Sequence, residues 1–297
     1  MGEASGRLPP VQMPVLSRPV RAAVGLAVLS SVCVVFLGVA CRPAAPPAAK
    51  SMAPPTAAAD TTIPSGPYGD AVRRGRALVL ATRDSLPQHV GNKLRCASCH
   101  LDAGRRETAG SWIGAFARYP QYRTRSGAVE TIEFRVNDCF RRSMNGTALD
   151  PAGNDMRDIV AYLAFLSRGV PVASPAPNSR LQKWAAFRPD TTAGALVFAA
   201  SCVKCHGPAG EGTAVAPPLW GAGSFNIGAG MSRVRTAAEF ISRNMPFDAP
   251  GALSDSQAFN VAAYVTTRPR PDFRGKEHDW PNGDPPPDVA YPTRVHH

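Results

Sequence analysis

Two five-residue segments have the clearest chemistry in the sequence. Residues 96–100 read Cys-Ala-Ser-Cys-His and residues 202–206 read Cys-Val-Lys-Cys-His, so the pattern Cys-x-x-Cys-His occurs twice. In this pattern the two thiols add to the vinyl groups of a haem and the histidine binds its iron. A zinc site would need the four cysteines together, whereas the two pairs lie far apart in the chain. The sequence therefore predicts two covalently bound haem c groups, attached at Cys96, Cys99, Cys202 and Cys205, with His100 and His206 as iron ligands.

A sixth iron ligand for the second haem is available as methionine sulfur. Met245 follows His206 in the sequence Asn-Met-Pro, just before the last predicted helix, and Met231, closer to His206, is the competing candidate. A thioether stabilises Fe(II), so we expect Met245 to give this haem the higher potential.

Pro217 and Pro218 also follow His206. They are either ordinary loop prolines or the source of a carbonyl that holds the histidine ring.

Cys139 occupies the equivalent position in the first half, since it follows His100 at the same spacing as Met245 follows His206. Five cysteines follow Cys41 and the two motifs use four of them, so Cys139 has no intrachain disulfide partner. It is either an inert buried thiol or an iron ligand, and the spacing favours the ligand. Met144 is the alternative ligand and would make an ordinary electron-carrier haem. A thiolate would lower the iron potential and could act as a nucleophile.

Arginines are concentrated around Cys139. If residues 129–143 form a helix, Arg135 and Arg142 share the face of Cys139, about one turn before it and one turn after. The guanidinium group matches oxyanions well, which indicates an anionic substrate. Pairing with neighbouring acidic residues, or with haem propionates, is the alternative. The cluster comprises Arg118, Arg123, Arg125, Arg135, Arg141 and Arg142.

Apolar periodicity places a helix before and after each motif. We expect helices at residues 69–82 and 155–168 around the first motif, and at 191–200 and 255–267 around the second. Helix, Cys-x-x-Cys-His, loop and helix is the arrangement of a small cytochrome c domain, so the predicted fold is all-α with two such domains in tandem. The predicted parts are 1–41 (signal or anchor), 42–65 (Pro/Ala-rich linker), 66–168 (first domain), 169–180 (linker), 181–270 (second domain) and 271–297 (Pro-rich tail on the surface).

The N-terminal segment, 1–65, has the pattern of an export signal and a tether. Arg18 and Arg21 precede an uncharged apolar stretch that ends at Cys41 and is long enough to span a bilayer if uncleaved. The end of this stretch, Leu-Gly-Val-Ala-Cys, is similar to a bacterial lipoprotein cleavage box with Cys41 as the acylated residue. Either alternative places the rest of the chain outside the cytoplasm, on a membrane surface in the bacterial cell envelope.

Composition narrows the classes of partner. The 44% apolar and 19% charged residues exclude a fully disordered chain and a polytopic membrane protein. The formal net charge is +11, which suits an anionic partner such as a membrane or a small anion. No basic tract with interleaved aromatic residues occurs, so nucleic acid is not expected as a partner.

Longer segments resemble a known family. Residues 136–146, Val-Asn-Asp-Cys-Phe-Arg-Arg-Ser-Met-Asn-Gly, are similar to the haem–cysteine segment of dihaem thiosulfate dehydrogenases and of related sulfur-oxidising cytochrome subunits. Residues 217–221, 224–226, 228–231 and 244–246 resemble the second domain of thiosulfate dehydrogenases. The resemblance extends through both predicted domains.

The resemblance implies the oxidative coupling of two thiosulfate ions to tetrathionate, with electrons leaving to an acceptor such as a small cytochrome c. It implies a catalytic haem on His100 and Cys139 and an exit haem on His206 and Met245. Arg125 and Arg135 fall where the family binds anions, and with Arg142 and Cys139 they form the predicted catalytic set. Members of the family can carry a lysine beside the distal methionine, where this chain has Asn244, so a lysine ligand switch is not supported. The alternatives are a dihaem electron carrier without substrate chemistry and a thiosulfate-conjugating subunit of a sulfur-oxidising complex.

Overall fold

The computed structural model describes residues 62–173 and 180–293. The predicted export signal or anchor, Cys41, all but the end of the Pro/Ala-rich linker and residues 174–179 of the second linker lie outside these residues. Within the described ranges, no helix is both long enough and apolar enough to cross a membrane.

Two crossing helices frame the first haem motif. Helix α1 (Pro67–Leu80) packs against α4 (Asn154–Leu166), near the predicted bounds of 69–82 and 155–168. Gly75 lies at the crossing, where a Cβ atom would overlap the Asp158 carbonyl oxygen. Only glycine permits this close approach of the two backbones. The core between them is formed by Val72, Val79, Ile159, Tyr162, Leu163, Phe165 and Leu166.

The second domain repeats the same crossing. Helix α5 (Thr191–Ser201) packs against α8 (Asp255–Thr266), and a Cβ atom on Gly194 would overlap the Asn260 carbonyl oxygen. Ser254 and Gln257 form the capping box that begins α8, as the sequence predicts. Equivalent glycines at equivalent crossings show that the two halves share one architecture.

The segment between the first motif and Cys139 differs from the prediction. Residues 128–130 do not join the helix; β2 (Ala128–Glu130) pairs antiparallel with β1 (Gln121–Arg123) in a small hairpin. Helix α3 (Ile132–Arg142) begins after Thr131, whose side-chain oxygen accepts the backbone N–H of Phe134. Threonine at this N-cap position stops the helix from extending toward residue 129.

Shorter elements complete the two domains. Helix α2 (Thr82–Ser85) follows α1, α6 (Val203–His206) contains most of the second motif, and α7 (Val234–Asn244) packs against α8. The 3₁₀ turns are Pro87–His89, Cys96–Ser98, Asp102–Gly104, Phe116–Arg118, Arg180–Ala186, Gly230–Ser232 and Lys276–His278.

The two haem-motif domains share a core. Phe225 and Ala229, from the second domain, are buried in the apolar cluster of the first. Asn226 donates its side-chain N–H to the Arg141 carbonyl at 2.9 Å, and Asn92 of the first domain donates to the Ser224 carbonyl at 3.0 Å. The segment around residues 223–229 therefore joins the end of α3 to the second domain.

The C-terminal tail does more than cover the surface. Trp280 is 2% exposed and Asp279 is 4% exposed, and both lie against the first domain. The backbone N–H of Trp280 donates to the Arg125 carbonyl at 2.7 Å, and Tyr291 donates its hydroxyl proton to Asp279. The tail is thus an anchored strap that ties the chain's end to the segment around Arg125.

Candidate haem and substrate site

The first motif opens into a cavity of about 470 Å³. Cys96 begins a 3₁₀ turn, and its backbone N–H donates to the Thr82 hydroxyl at 3.1 Å. Both motif cysteines, the motif histidine and the predicted sulfur ligands line the same cavity: Cys96, Cys99, His100, Cys139 and Met144. Its remaining wall is mostly apolar, including Val79, Leu94, Trp112, Ile132, Phe140, Ile159 and Leu163.

The His100 ring is held with one nitrogen free. Its Nδ1–H donates to the Gly110 carbonyl at 2.6 Å, and the ring lies 4.5 Å from the Trp112 ring. Burial lowers the pKa of His100 to about 4, so the ring is neutral at physiological pH. A neutral ring that donates through Nδ1 leaves the Nε2 lone pair available for a metal. The contacts of Gly110 and Trp112 with His100 could not be predicted, because no local sequence pattern marks these two residues.

Arg135 contacts the predicted sulfur ligand directly. Its Nη1 donates to the Cys139 Sγ at 3.0 Å, as their spacing of one helical turn on α3 predicts. Asp138 lies 3.7 Å from the same guanidinium, and the charge on Cys139, acting against desolvation, raises the Arg135 pKa. Met144 also lines the cavity and is 4% exposed, so Cys139 and Met144, the two candidate ligands of the first domain, share the cavity that contains His100.

The prediction that Arg142 lies beside Cys139 at the substrate site is wrong. It does not share the open face of Cys139, because its Nε donates to Asp138 and its Nη1 and Nη2 donate to Asp279 at 2.7 and 2.8 Å. The guanidinium also lies 4.1 Å from the centre of the Phe273 ring. With its donors occupied by two carboxylates, Arg142 supports the structure and is not free for an anionic substrate.

Arg125 lies beside a second cavity rather than beside Cys139. This cavity measures about 250 Å³, and Arg123 lines both it and the cavity that contains Cys139. Arg125 donates to the Gly228 carbonyl at 2.9 Å and lies 4.9 Å from the Trp280 ring. Arg233 of the second domain completes the basic wall. Sequence reasoning could not find Arg233, because it belongs to the other domain and lies far from Cys139 in the chain.

The second motif repeats the histidine arrangement. The Nδ1–H of His206 donates to the Pro217 carbonyl at 2.8 Å, so the carbonyl-acceptor interpretation of Pro217 is confirmed. Burial lowers the pKa of His206, which keeps its ring neutral and its Nε2 available. Cys202, Val203 and Trp220 pack on a buried cluster of Phe198, Val261 and Val265.

The two methionine candidates of the second domain separate in space. Met231 lines the first cavity, whereas Met245 follows the last residue of α7. Its neighbour Asn244 is fully buried and links the domains: it accepts a hydrogen bond from the Thr108 hydroxyl at 2.7 Å and donates to the Thr108 carbonyl at 2.9 Å. Thr108 lies just before Gly110, the acceptor for His100.

The residues present fit haem c. Each motif offers two free thiols beside a neutral histidine whose Nδ1 is occupied and whose Nε2 is available. The first motif also faces an apolar cavity with a sulfur atom in its wall. The described residues contain no cluster of three or more histidine, cysteine or acidic side chains that would hold a bare metal ion. This donor set is that of haem attachment.

Family models match both halves of the chain. The cytochrome c domain model of SoxA and TsdA matches residues 88–172, which include the first motif and Cys139. The model of the cbb3-type cytochrome c oxidase subunit III matches residues 189–265, which include the second motif. Both halves are therefore cytochrome c domains, as the predicted fold class requires.

Several similar proteins are thiosulfate dehydrogenases. A thiosulfate dehydrogenase of Psychrobacter arcticus is 44% identical over 77% of this chain and 72% of its own length, and one of Allochromatium vinosum is 41% identical over 74% and 87%. The solved structure of the thiosulfate dehydrogenase TsdBA from Marichromatium purpuratum superposes with a TM-score of 0.66 at 36% identity. It covers 73% of this chain, which spans about half of that longer chain. The chain belongs to the thiosulfate dehydrogenase family of cytochrome c proteins.

Proposed function

We propose that this protein couples two thiosulfate ions to one tetrathionate ion. A sulfur–sulfur bond forms between the outer sulfur atoms, two electrons leave, and no proton is gained or lost. A one-electron acceptor outside the protein takes the electrons in turn. The hydrogen bond from Arg135 to Cys139, inside the cavity of the first haem motif, is the observation that carries this proposal.

The proposed enzyme carries two haem c groups, one on each motif. Haem iron supplies one-electron redox chemistry when bound. His100 and His206 would each present Nε2 to the iron, since Gly110 and Pro217 occupy Nδ1. Cys139 would be the second ligand in the first domain and Met245 in the second. A thiolate and a thioether shift the potential in opposite directions, so electrons would run from the first domain to the second.

Arg135 would perform two tasks at the substrate site. Its hydrogen bond to Sγ holds the Cys139 sulfur in place on the cavity wall. The rest of the guanidinium faces the cavity and can bind the sulfonate oxygens of thiosulfate, which would place the outer sulfur near Cys139. Positive charge is needed there, because two dianions repel each other as they approach.

The electrons would leave through the second domain to a small cytochrome c or a similar carrier.

We also propose that the protein works outside the cytoplasm on a membrane surface, held through residues 1–41 by acylation at Cys41 or by an uncleaved helix. Attachment of haem to two Cys-x-x-Cys-His motifs and the sequence of the N-terminal segment support this location. Mass spectrometry of the native N-terminus would distinguish the two anchors: a lipid-modified Cys41 or an intact Met1.

A turnover assay tests the proposed reaction. The purified chain with both haems, given thiosulfate and an artificial one-electron acceptor, should form one tetrathionate per two electrons without any other protein.

One alternative has a specific basis: an L-cysteine S-thiosulfotransferase subunit, SoxA, of Rhodovulum sulfidophilum is 34% identical over 115 residues. Turnover only when a cysteine-bearing acceptor is added would favour that activity, and reduction of haem without any sulfur product would favour an electron carrier.

A further inference from the structure

Arginine side chains line the first haem cavity at several points. Among the described residues they are Arg95, Arg118, Arg123 and Arg135. Arg135 donates to the Cys139 sulfur, and Arg123 also lines the second cavity. Arg95 immediately precedes Cys96, so it belongs to the edge at which the haem would be bonded to the chain. Arg118 is the arginine of this cavity that has none of these roles.

The position of Arg118 leaves most of its hydrogen-bond donors available. The 3₁₀ turn Phe116–Arg118 brings this side chain to the cavity, which Tyr119 and Gln121 also line. The Arg118 Nη1 donates to the Ile113 carbonyl at 3.3 Å, and the side chain forms no other hydrogen bond within the described ranges. A guanidinium group has five N–H donors. Arg118 therefore has donors left for a group inside the cavity.

The charge of Arg118 has no carboxylate partner in the part of the chain that the structure describes. Burial lowers the pKa of Arg118, and the group that counteracts this is the phenol of Tyr119, a residue type that is uncharged near neutral pH. Glu239 also lines the cavity, but it pairs with Arg243 at 3.1 Å and accepts the indole N–H of Trp184 at 3.2 Å. A partly buried cation without a counter-charge is costly. The cavity beside Arg118 is therefore suited to an anionic group.

Haem c has two anionic groups that would enter this cavity, its propionate carboxylates. They lie on the edge of the porphyrin ring opposite the edge that carries the two thioether bonds. Cys96 and Cys99 would hold the thioether edge, and Arg118 belongs to a separate turn of the chain. The two parallel N–H donors of a guanidinium match the two oxygens of a carboxylate, which makes this pair strong.

We propose that Arg118 binds a propionate of the first haem and raises the potential of that haem. A cation beside the porphyrin favours reduced iron, because reduced iron carries one positive charge less than oxidised iron. Arg118 thus opposes the effect of a thiolate ligand, which lowers the potential. The two effects together set how readily the first haem accepts an electron. The inference rests on the first haem of the proposed function, but not on the formation of tetrathionate.

A redox titration of the haem-loaded protein that resolves both haems tests the effect on the potential. In Arg118→Gln the equilibrium constant for reduction of the first haem should fall about tenfold, equivalent to about 59 mV for a one-electron couple, while the second haem is unchanged. Arg118→Lys keeps the charge and should restore most of the potential. The matched control is Arg83→Gln, because Arg83 is an exposed arginine of the first domain that lines neither cavity.

Resonance Raman spectra of the same proteins report on the propionate itself, since its bending vibration depends on the hydrogen bonds to the carboxylate. A propionate band should move in Arg118→Gln. It should also move in Arg118→Lys, because one ammonium group cannot form the two parallel bonds of a guanidinium. The band should stay at its wild-type position in Arg83→Gln.

An unchanged first potential or an unchanged propionate band in Arg118→Gln would overturn the assignment. If Arg118→Gln does not take up haem, a wild-type propionate band in Arg118→Lys overturns it instead. Neither measurement uses thiosulfate. A protein that shows the expected shifts but forms no tetrathionate would therefore support the role of Arg118 and contradict the proposed function.

Discussion

Arg135 and Cys139 lie one helical turn apart on α3, and that local geometry made their contact predictable. The spacing from His100, which matches the spacing of Met245 from His206, identified the cysteine, and the helical register identified the arginine. Arg233 escaped prediction because its place beside Arg125 depends on how the domains pack. The tail likewise brings Asp279 to Arg142, and no local sequence pattern predicts that ion pair.

At the residue scale, Arg135→Ala should weaken thiosulfate binding and leave two haems attached. Loss of one charge-assisted hydrogen bond to an anion costs about 1.5–3 kcal/mol, so KM should rise roughly tenfold to a hundredfold. Steady-state kinetics with a measured haem content checks this. The control is Arg141→Ala, because Arg141 on the same helix is exposed and lines neither cavity. Equal KM values for the two variants would remove Arg135 from the substrate site.

At the scale of elements, helices were easier to predict than their boundaries. The helices that pack around each haem motif have strong apolar periodicity, and the four were found within a few residues of their bounds. The β-hairpin before α3 was not predicted, because strands this short show too little apolar alternation to be recognised in the sequence. Thr131 was the one available signal, since threonine is a common N-cap.

The Thr108–Asn244 contact makes the loop after the first motif a support for α7 and Met245. Thr108→Val removes the hydroxyl that donates to the side-chain oxygen of Asn244. The loss of this partner for a buried amide oxygen should lower the free energy of unfolding by about 1–3 kcal/mol. We expect looser positioning of Met245 and a lower potential for the second haem, because thioether ligation raises it.

A redox titration that resolves both haems measures this effect. Thr108→Ser keeps the hydroxyl and should restore the wild-type potential, which a purely steric effect of the substitution would not predict. An unchanged second potential in Thr108→Val would show that the contact does not position Met245.

At the scale of the whole molecule, the shared core and the strap join two domains that the sequence presents as separate units. Phe225 and Ala229 fill the first domain's core from the second, and Trp280 packs beside Arg125. The internal repeat predicted the two domains but not their contact, because a repeat contains no information on how its copies pack. The tail was expected on the surface because of its prolines, yet Asp279, Trp280 and Tyr291 are buried.

Asp279 should stabilise the fold strongly through Arg142. Both side chains are buried, and Asp279→Ala would remove one of the two carboxylates that pair with the Arg142 guanidinium and leave Asp138 as the other. Breaking a buried ion pair from one side costs about 3–5 kcal/mol, which denaturant unfolding at equal haem content would measure. Asp284→Ala, on an exposed residue of the same tail, should change stability by about 0.5 kcal/mol or less. Equal stability of the two variants would show that the strap is not anchored by this pair.

In the proposed mechanism Cys139 makes the first haem site catalytic, and the decisive measurement is tetrathionate production by haem-loaded Cys139→Met. Methionine can occupy the same ligand position, so haem attachment at Cys96 and Cys99 should survive while the thiolate is lost. We predict that kcat falls below a tenth of the wild-type value, whereas the volume-conserving control Met144→Leu retains most of it. If Cys139→Met keeps more than a tenth of wild-type kcat, a barrier change below about 1.4 kcal/mol, Cys139 is not catalytic and the proposed mechanism is wrong.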